Sequence, residues 1–240
     1  MILALALVTA SGADAKAVKI VRNSSALEFS YAWPAQAAAI PALNRWMQTD
    51  ADKIFKREAA AARSDFQNSK KSNYPFHQHE IQMAWETAGQ STRLLSLDGS
   101  FYGFTGGAHG LGSSSALLWD GARNAKIDIQ QLLAVGQTWT GAIRQPFCVL
   151  LNRERAKRRE EPIKPGGMFT ECPAYKELTV LIADKNSNNR FDHVQVTADP
   201  YVAGPYVEGP YVIDLPITAA MIDRLKPEFR PSFEPQRPVQ

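Results

Sequence analysis

The chain has little of what most catalytic signatures require. Its 240 residues include four histidines and two cysteines. It has no G-x-S-x-G elbow, no glycine loop ending in Lys-Ser/Thr, no H-E-x-x-H and no dinucleotide fingerprint. Those absences remove the commonest serine-hydrolase, phosphate-loop, zinc-protease and Rossmann readings. Charge of one sign is also scarce: 27 Lys and Arg against 24 Asp and Glu leave a net +3. So mild a balance does not point to a polyanion, and nucleic acid is not an expected partner. No apolar run reaches the ~20 residues a membrane helix needs, so no stable span is expected.

What is present begins at the N-terminus. Met1 to Ala10 is a short apolar run, and Ala13-Asp14-Ala15 follows as a small-residue cleavage pattern. Residues 1–15 read as a secretory signal, truncated in its basic leader, which places the chain in the periplasm or outside the cell. In that setting Cys148 and Cys172 can form one disulfide, closing a loop of roughly 25 residues. Two free buried thiols are the other reading.

Hydrophobic periodicity sets the expected elements. Strand-like alternation runs through Leu27–Trp33, His79–Glu86, Arg93–Leu97, Phe101–Phe104 and Ser114–Trp119. It returns in Leu178–Ala183, Val194–Thr197 and Tyr211–Leu215. Asp98-Gly99 reads as a hairpin turn. Helical spacing covers Pro41–Phe66 and Thr138–Glu160, with Pro146 expected to kink or break the second. The run of charges over Asn152–Glu161, with Arg153, Arg155, Lys157, Arg158 and Arg159, reads as a solvated helix face. A patch for an acidic partner is its alternative. These patterns predict an α+β fold of two lobes in series, each a mainly antiparallel sheet packed on a long helix. The expected division is 16–115, 116–230 and a loose proline-rich tail, 231–240.

Four stretches carry candidate chemistry. Gly106-Gly107-Ala108-His109-Gly110 offers backbone freedom around a histidine. His109 with Asp98 or Asp120 is the only hydrolase pairing the sequence suggests, and no nucleophile elbow supports it. His77-x-His79 has the spacing of some zinc sites. Asp184, Asn186, Asn188 and Asp192 fall at positions 1, 3, 5 and 9 of a calcium loop. Asn189 and Gln195 replace that loop's glycine and bidentate glutamate, so an Asn-rich turn is the other reading.

Three motifs carry a family resemblance. They are Phe101-Tyr-Gly-Phe-Thr-Gly-Gly-Ala-His-Gly110, Leu118-Trp-Asp-Gly-Ala-Arg-Asn-Ala-Lys-Ile-Asp-Ile-Gln-Gln-Leu-Leu133, and Asp199-Pro-Tyr-Val-Ala-Gly-Pro-Tyr206 leading through Val212–Pro216 to Leu225–Phe229. Together they resemble the paired domains of unknown function in the extracellular part of RsiV-type lysozyme-binding anti-sigma factors. The same pair precedes the catalytic domain of PdaC-type peptidoglycan deacetylases. The resemblance covers residues 18–230, without an anti-sigma segment or the deacetylase metal motifs. It implies an exported, non-catalytic envelope protein that binds a lysozyme-like protein or peptidoglycan. Gly106, Gly107, His109, Tyr201, Tyr206 and Tyr211 are the expected ligand surface. No cofactor is expected, calcium at Asp184–Asp192 being the exception. An envelope hydrolase and a purely structural envelope protein are the alternatives.

Overall fold

In Leu27–Trp33 (β2) the odd-numbered Leu27, Phe29, Tyr31 and Trp33 are buried while Glu28 is exposed, as the period of two demands. Their neighbours make a six-stranded sheet in the order β1-β2-β3-β4-β5-β6. The other strands are β1 (Val18–Asn23), β3 (His79–Gln90), β4 (Leu94–Phe104), β5 (Leu111–Asp120) and β6 (Ala125–Ile127). All pairings are antiparallel except β2 with β3. A parallel pair needs a long crossover. It is supplied by a short helix α1 (Ala35–Ala38) and the 32-residue α2 (Pro41–Ser72). The computed structural model describes residues 15–236. The expected secretory signal at 1–15, apart from Ala15, lies outside them. No described helix is long and apolar enough to cross a membrane.

A second, antiparallel sheet has the order β7-β8-β9, from Thr179–Ala183, His193–Ala198 and Tyr211–Pro216. Helix α3 (Trp139–Arg159) packs on it, and the short α4 (Ala219–Asp223) follows β9. The chain is thus α+β, with two lobes. The long strands serve both cores. In β4, Leu95 and Leu97 enter the core under α2, while Leu94 enters the core of the second lobe. In β5, Leu117 and Trp119 face α2 and Leu118 faces the second lobe. A strand with two apolar faces is what two covered faces require.

The fold differs from the sequence expectation at Asp98-Gly99, at the lobe border and in the C-terminal tail. Asp98-Gly99 is not a turn but the middle of β4. A Cβ at Gly99 would stand 2.7 Å from the Trp85 ring, so the glycine makes room for the tryptophan on the neighbouring strand. Pro146 lies inside α3, which continues past it to Arg159, so of the two expected effects a break is absent. The border expected at 115/116 falls inside β5, and the first sheet ends at Ile127. Finally, residues 231–236 are not loose. Phe233 is 1% exposed against Phe191, and Ser91 Oγ donates to Ser232 Oγ at 2.9 Å.

Arg93 links the lobes. It makes a two-pronged pair with the fully buried Asp120 at 3.0 and 2.9 Å, donates to Glu228 O and lies 4.3 Å over the Phe229 ring. Burial alone would raise the Asp120 pKa. The Arg93 pair and the Ala122 N–H outweigh it, and the net shift is downward. The unfolded carboxyl titrates near ~4. A depressed native pKa therefore stabilises above that pH, and the contribution is lost as pH falls through the native value. The urea midpoint should drop between pH 5 and pH 3. Asp120→Asn should lower it at pH 7 and flatten that acid limb; an acid limb as steep as wild type would count against the assignment.

Candidate ligand-binding site

The hairpin from β4 to β5 contains the Gly106–Gly110 motif. Gly106 adopts φ +89°, a left-handed turn that favours glycine. Gly107 does not share that conformation, so one glycine of the pair makes the turn. Gly110 has a different reason: a Cβ there would collide with the Tyr102 ring, which lies against it. The hairpin presents His109 to solvent.

The loop from β8 to β9 contains the Asp199–Tyr206 motif. Asp199 ties it to the first lobe, because its carboxylate accepts from Ser114 N at 3.0 Å and Ser114 Oγ at 2.7 Å. Tyr201 then takes φ +71°, and its N–H donates to Gly204 O at 2.9 Å. A bulky residue in the left-handed region carries strain that its surroundings must sustain. Gly204 allows close approach, since a Cβ would overlap the Glu208 carboxylate and the Tyr211 ring.

These two loops meet. The His109 ring stacks on Tyr206 with centroids 3.9 Å apart and planes at 22°. Tyr201 continues the stack, 5.9 Å from Tyr206 at 30°. Tyr206 Oη donates to Gly110 O at 2.9 Å, and His109 Nδ1 lies 2.9 Å from the same oxygen. The result is a three-ring stack across the lobe junction, with Tyr201 51% exposed and Val207 beside Tyr206 in sequence at 89%. Rings held edge-to-solvent offer large apolar area with little entropy left to lose.

Tyr211 is not on this surface. It is fully buried, and its hydroxyl donates to Glu208. Burial, then the Glu208 carboxylate, raises its pKa. Its period-two position in β9 places it inward, which its neighbourhood in sequence to the loop had masked.

The sequence reading also missed the support beneath the loop. Arg155, Arg158 and Arg159 occupy one side of α3 and all reach the Tyr201–Tyr211 segment. Arg155 is fully buried. It donates to Ala203 O at 2.8 Å, to Glu171 O at 3.1 Å, to Thr170 O at 3.3 Å and to Asn152 Oδ1 at 3.0 Å. It thus holds carbonyls rather than a carboxylate, and burial followed by the Arg159 charge lowers its pKa. Arg159 makes a forked pair with Glu208 at 2.8 and 3.1 Å. Burial would raise the Glu208 pKa, but Arg159 and Tyr211 bring it down. Arg158 donates to Glu208 O and Pro210 O and lies 4.0 Å over the Tyr211 ring. Arg153 and Lys157 are exposed, as the solvated-face reading expects, while Arg155, Arg158 and Arg159 form a clamp. Its i, i+3, i+4 spacing at 155, 158 and 159 was the available signal.

Cys148 and Cys172 are bonded, 24 residues apart in sequence. The bridge holds the stretch carrying Thr170 and Glu171 onto α3. Closing such a loop stabilises by about 3 kcal/mol in the chain-entropy account. Cys148→Ser with Cys172→Ser should lower unfolding stability by ~2–4 kcal/mol, read by urea melts with and without reductant. Equal stability of the double variant and wild type would contradict that role.

The remaining candidates lie apart. Asp120 is sealed in its pair with Arg93, and Asp98 accepts from Gln195 at 3.0 Å. Asp98 stands six strand positions before Phe104, roughly 20 Å from the hairpin end by strand rise, so neither carboxylate joins His109. His79 is buried on Phe76, 3.3 Å from Asp65, while His77 is exposed. The Asp184–Asp192 side chains share the loop between β7 and β8. Asp184 accepts from Asn188 N and Asn189 N, Asn188 from Arg190 N, and Asp192 from Lys185 N. Asn186 and Asn188 also donate to Glu234. Among the described residues no three His, Cys, Asp or Glu side chains stand together as a metal site.

The architecture and its junction define a two-lobed α+β protein with an aromatic surface between the lobes. Residues 20–112 match the family model described as Deacetylase PdaC. Two solved structures share the fold over nearly the whole chain. One is a member of the DUF3298 family from Bacteroides fragilis, with TM-score 0.58, 14% identity, and 90% of this chain and 96% of that one covered. The other is a DUF3298 family protein from Pseudomonas aeruginosa, with TM-score 0.51, 17% identity, and coverage of 92% and 95%. No curated protein matches in sequence. The first lobe is thus PdaC-like, the fold as a whole is that of DUF3298 proteins, and the resemblance read from the motifs holds at that level.

Proposed function

We propose that the chain is an exported, non-catalytic binding protein of the bacterial envelope, and that its ligand docks on Tyr201, Tyr206 and His109. The observation that carries this reading is the three-ring stack. Two loops from different lobes converge to make it, one of them strained at Tyr201 and held by the buried Arg155. Stacked, partly exposed tyrosines are side chains that anchor protein interfaces and sugar faces alike. The separation of His109 from Asp98 and Asp120 supports the non-catalytic half. The motif resemblance supports peptidoglycan or a lysozyme-like protein as the ligand. Retention of the folded protein on insoluble peptidoglycan or on immobilised lysozyme tests the reading. Binding to one of them is expected, and binding to neither would sink it.

A further inference from the structure

A concave feature lies wholly on the first lobe and uses no residue of the aromatic stack. It is a slot of about 470 Å³ between α2 and the turn joining β1 to β2, within the range of small-ligand pockets. Small residues, Ala26 and Ala59, leave it open. Phe55 and Phe66 stand on either side of Ala59 along one face of α2, and each ring carries a cation over its face. Arg22 lies 4.7 Å from the Phe55 centroid and Lys70 lies 4.2 Å from that of Phe66. Arg63 falls between them at helical spacing and also lines the slot.

The charge here is one-sided. No Asp or Glu lines the slot. Asp52 pairs with Arg22 at 2.5 Å, while Arg63 and Lys70 have no ion pair among the described residues. Ser24 is occupied within the turn, where it accepts from Ala26 N and Leu27 N. The slot therefore combines an apolar aromatic interior with two rim cations, Arg63 and Lys70, that have no counter-charge among the described residues. Exposed cations alone hold an anion weakly, because each is well hydrated. An apolar body seated between the rings supplies the additional affinity and fixes the anion on the rim.

We propose that this slot binds a small amphiphilic anion: a flat apolar group between Phe55 and Phe66, and a phosphate or carboxylate on Arg63 and Lys70. The site is independent of the docking surface at Tyr201. The test is calorimetric titration of the full chain with phenyl phosphate, inorganic phosphate and benzyl alcohol. Phenyl phosphate should bind at least about tenfold tighter than either fragment. Its affinity should weaken as salt rises from 50 to 200 mM, as expected for exposed charges. Arg63→Glu combined with Lys70→Glu removes two exposed cations without touching the core. It should reduce phenyl phosphate binding by about tenfold or more, with unchanged melting. Ala59→Leu should obstruct the ring, and Tyr201→Ala should leave binding as it was. Equal affinity for inorganic and phenyl phosphate would mean an adventitious ion only. That outcome, the absence of heat at millimolar phenyl phosphate, or indifference to the paired charge reversal would overturn the proposal.

Discussion

Arg155→Met should lower the stability of the fold by about 3 kcal/mol or more. Methionine fills much of the same volume, so the loss isolates the hydrogen bonds. Arg155 serves the carbonyls of Ala203, Thr170 and Glu171. Each acceptor left buried without a donor costs about 1 kcal/mol or more. Replacing a buried ion pair with apolar residues is often neutral. Here there is no carboxylate to remove with the arginine, so that compensation is missing. For a chain of this size the melting temperature should fall by roughly 6–12 °C. The same variant should weaken ligand retention, because Ala203 lies between Tyr201 and Tyr206. Melting within 2 °C of wild type, by the sensitivity just used, would show that Arg155 does not hold the segment.

Tyr206→Ala should have the opposite profile: a small loss of stability and a large loss of binding. Tyr206 is the middle ring of the stack, so its removal separates Tyr201 from His109. Its hydroxyl bond to Gly110 is a single contact at a partly buried site, worth about 1 kcal/mol. An aromatic anchor at the centre of an interface is commonly worth 2 kcal/mol or more, about thirtyfold in affinity. Tyr206→Phe distinguishes the two contributions. It keeps the ring and loses the hydroxyl, and it should retain most of the binding. If Tyr206→Phe and Tyr206→Ala weakened binding equally, the hydroxyl and not the stack would be the anchor.

The parts of this structure legible in the sequence are those governed by local pattern. The alternation Leu27, Phe29, Tyr31, Trp33 declares a half-buried strand, and the spacing through α2 declares a helix with one apolar side. Both depend on neighbours close in the chain. What was hidden depends on distant partners. Gly99 reads as a turn residue until Trp85 is seen packed above it. Arg155 reads as solvated because its spacing with Arg158 and Arg159 marks a shared side of the helix but not the three carbonyls arriving from two other segments. Phe233 sits among prolines, yet a partner at Phe191 buries it. At the site, His109 and Tyr201 were identified separately by their glycine-bearing motifs. Their union required the register that brings the β4–β5 hairpin against the β8–β9 loop. Tyr211 was misplaced because proximity in sequence outweighed its inward position in the strand.

The central claim is that the ring stack is a docking surface rather than a packing ornament. The most direct measurement is the fraction of folded protein retained on purified peptidoglycan and on immobilised lysozyme, for wild type and for Tyr201→Ala combined with Tyr206→Ala. One matrix should retain wild type. The double variant, still folded by near-ultraviolet circular dichroism, should lose retention by at least about tenfold. Equal retention of wild type and the folded variant would contradict it.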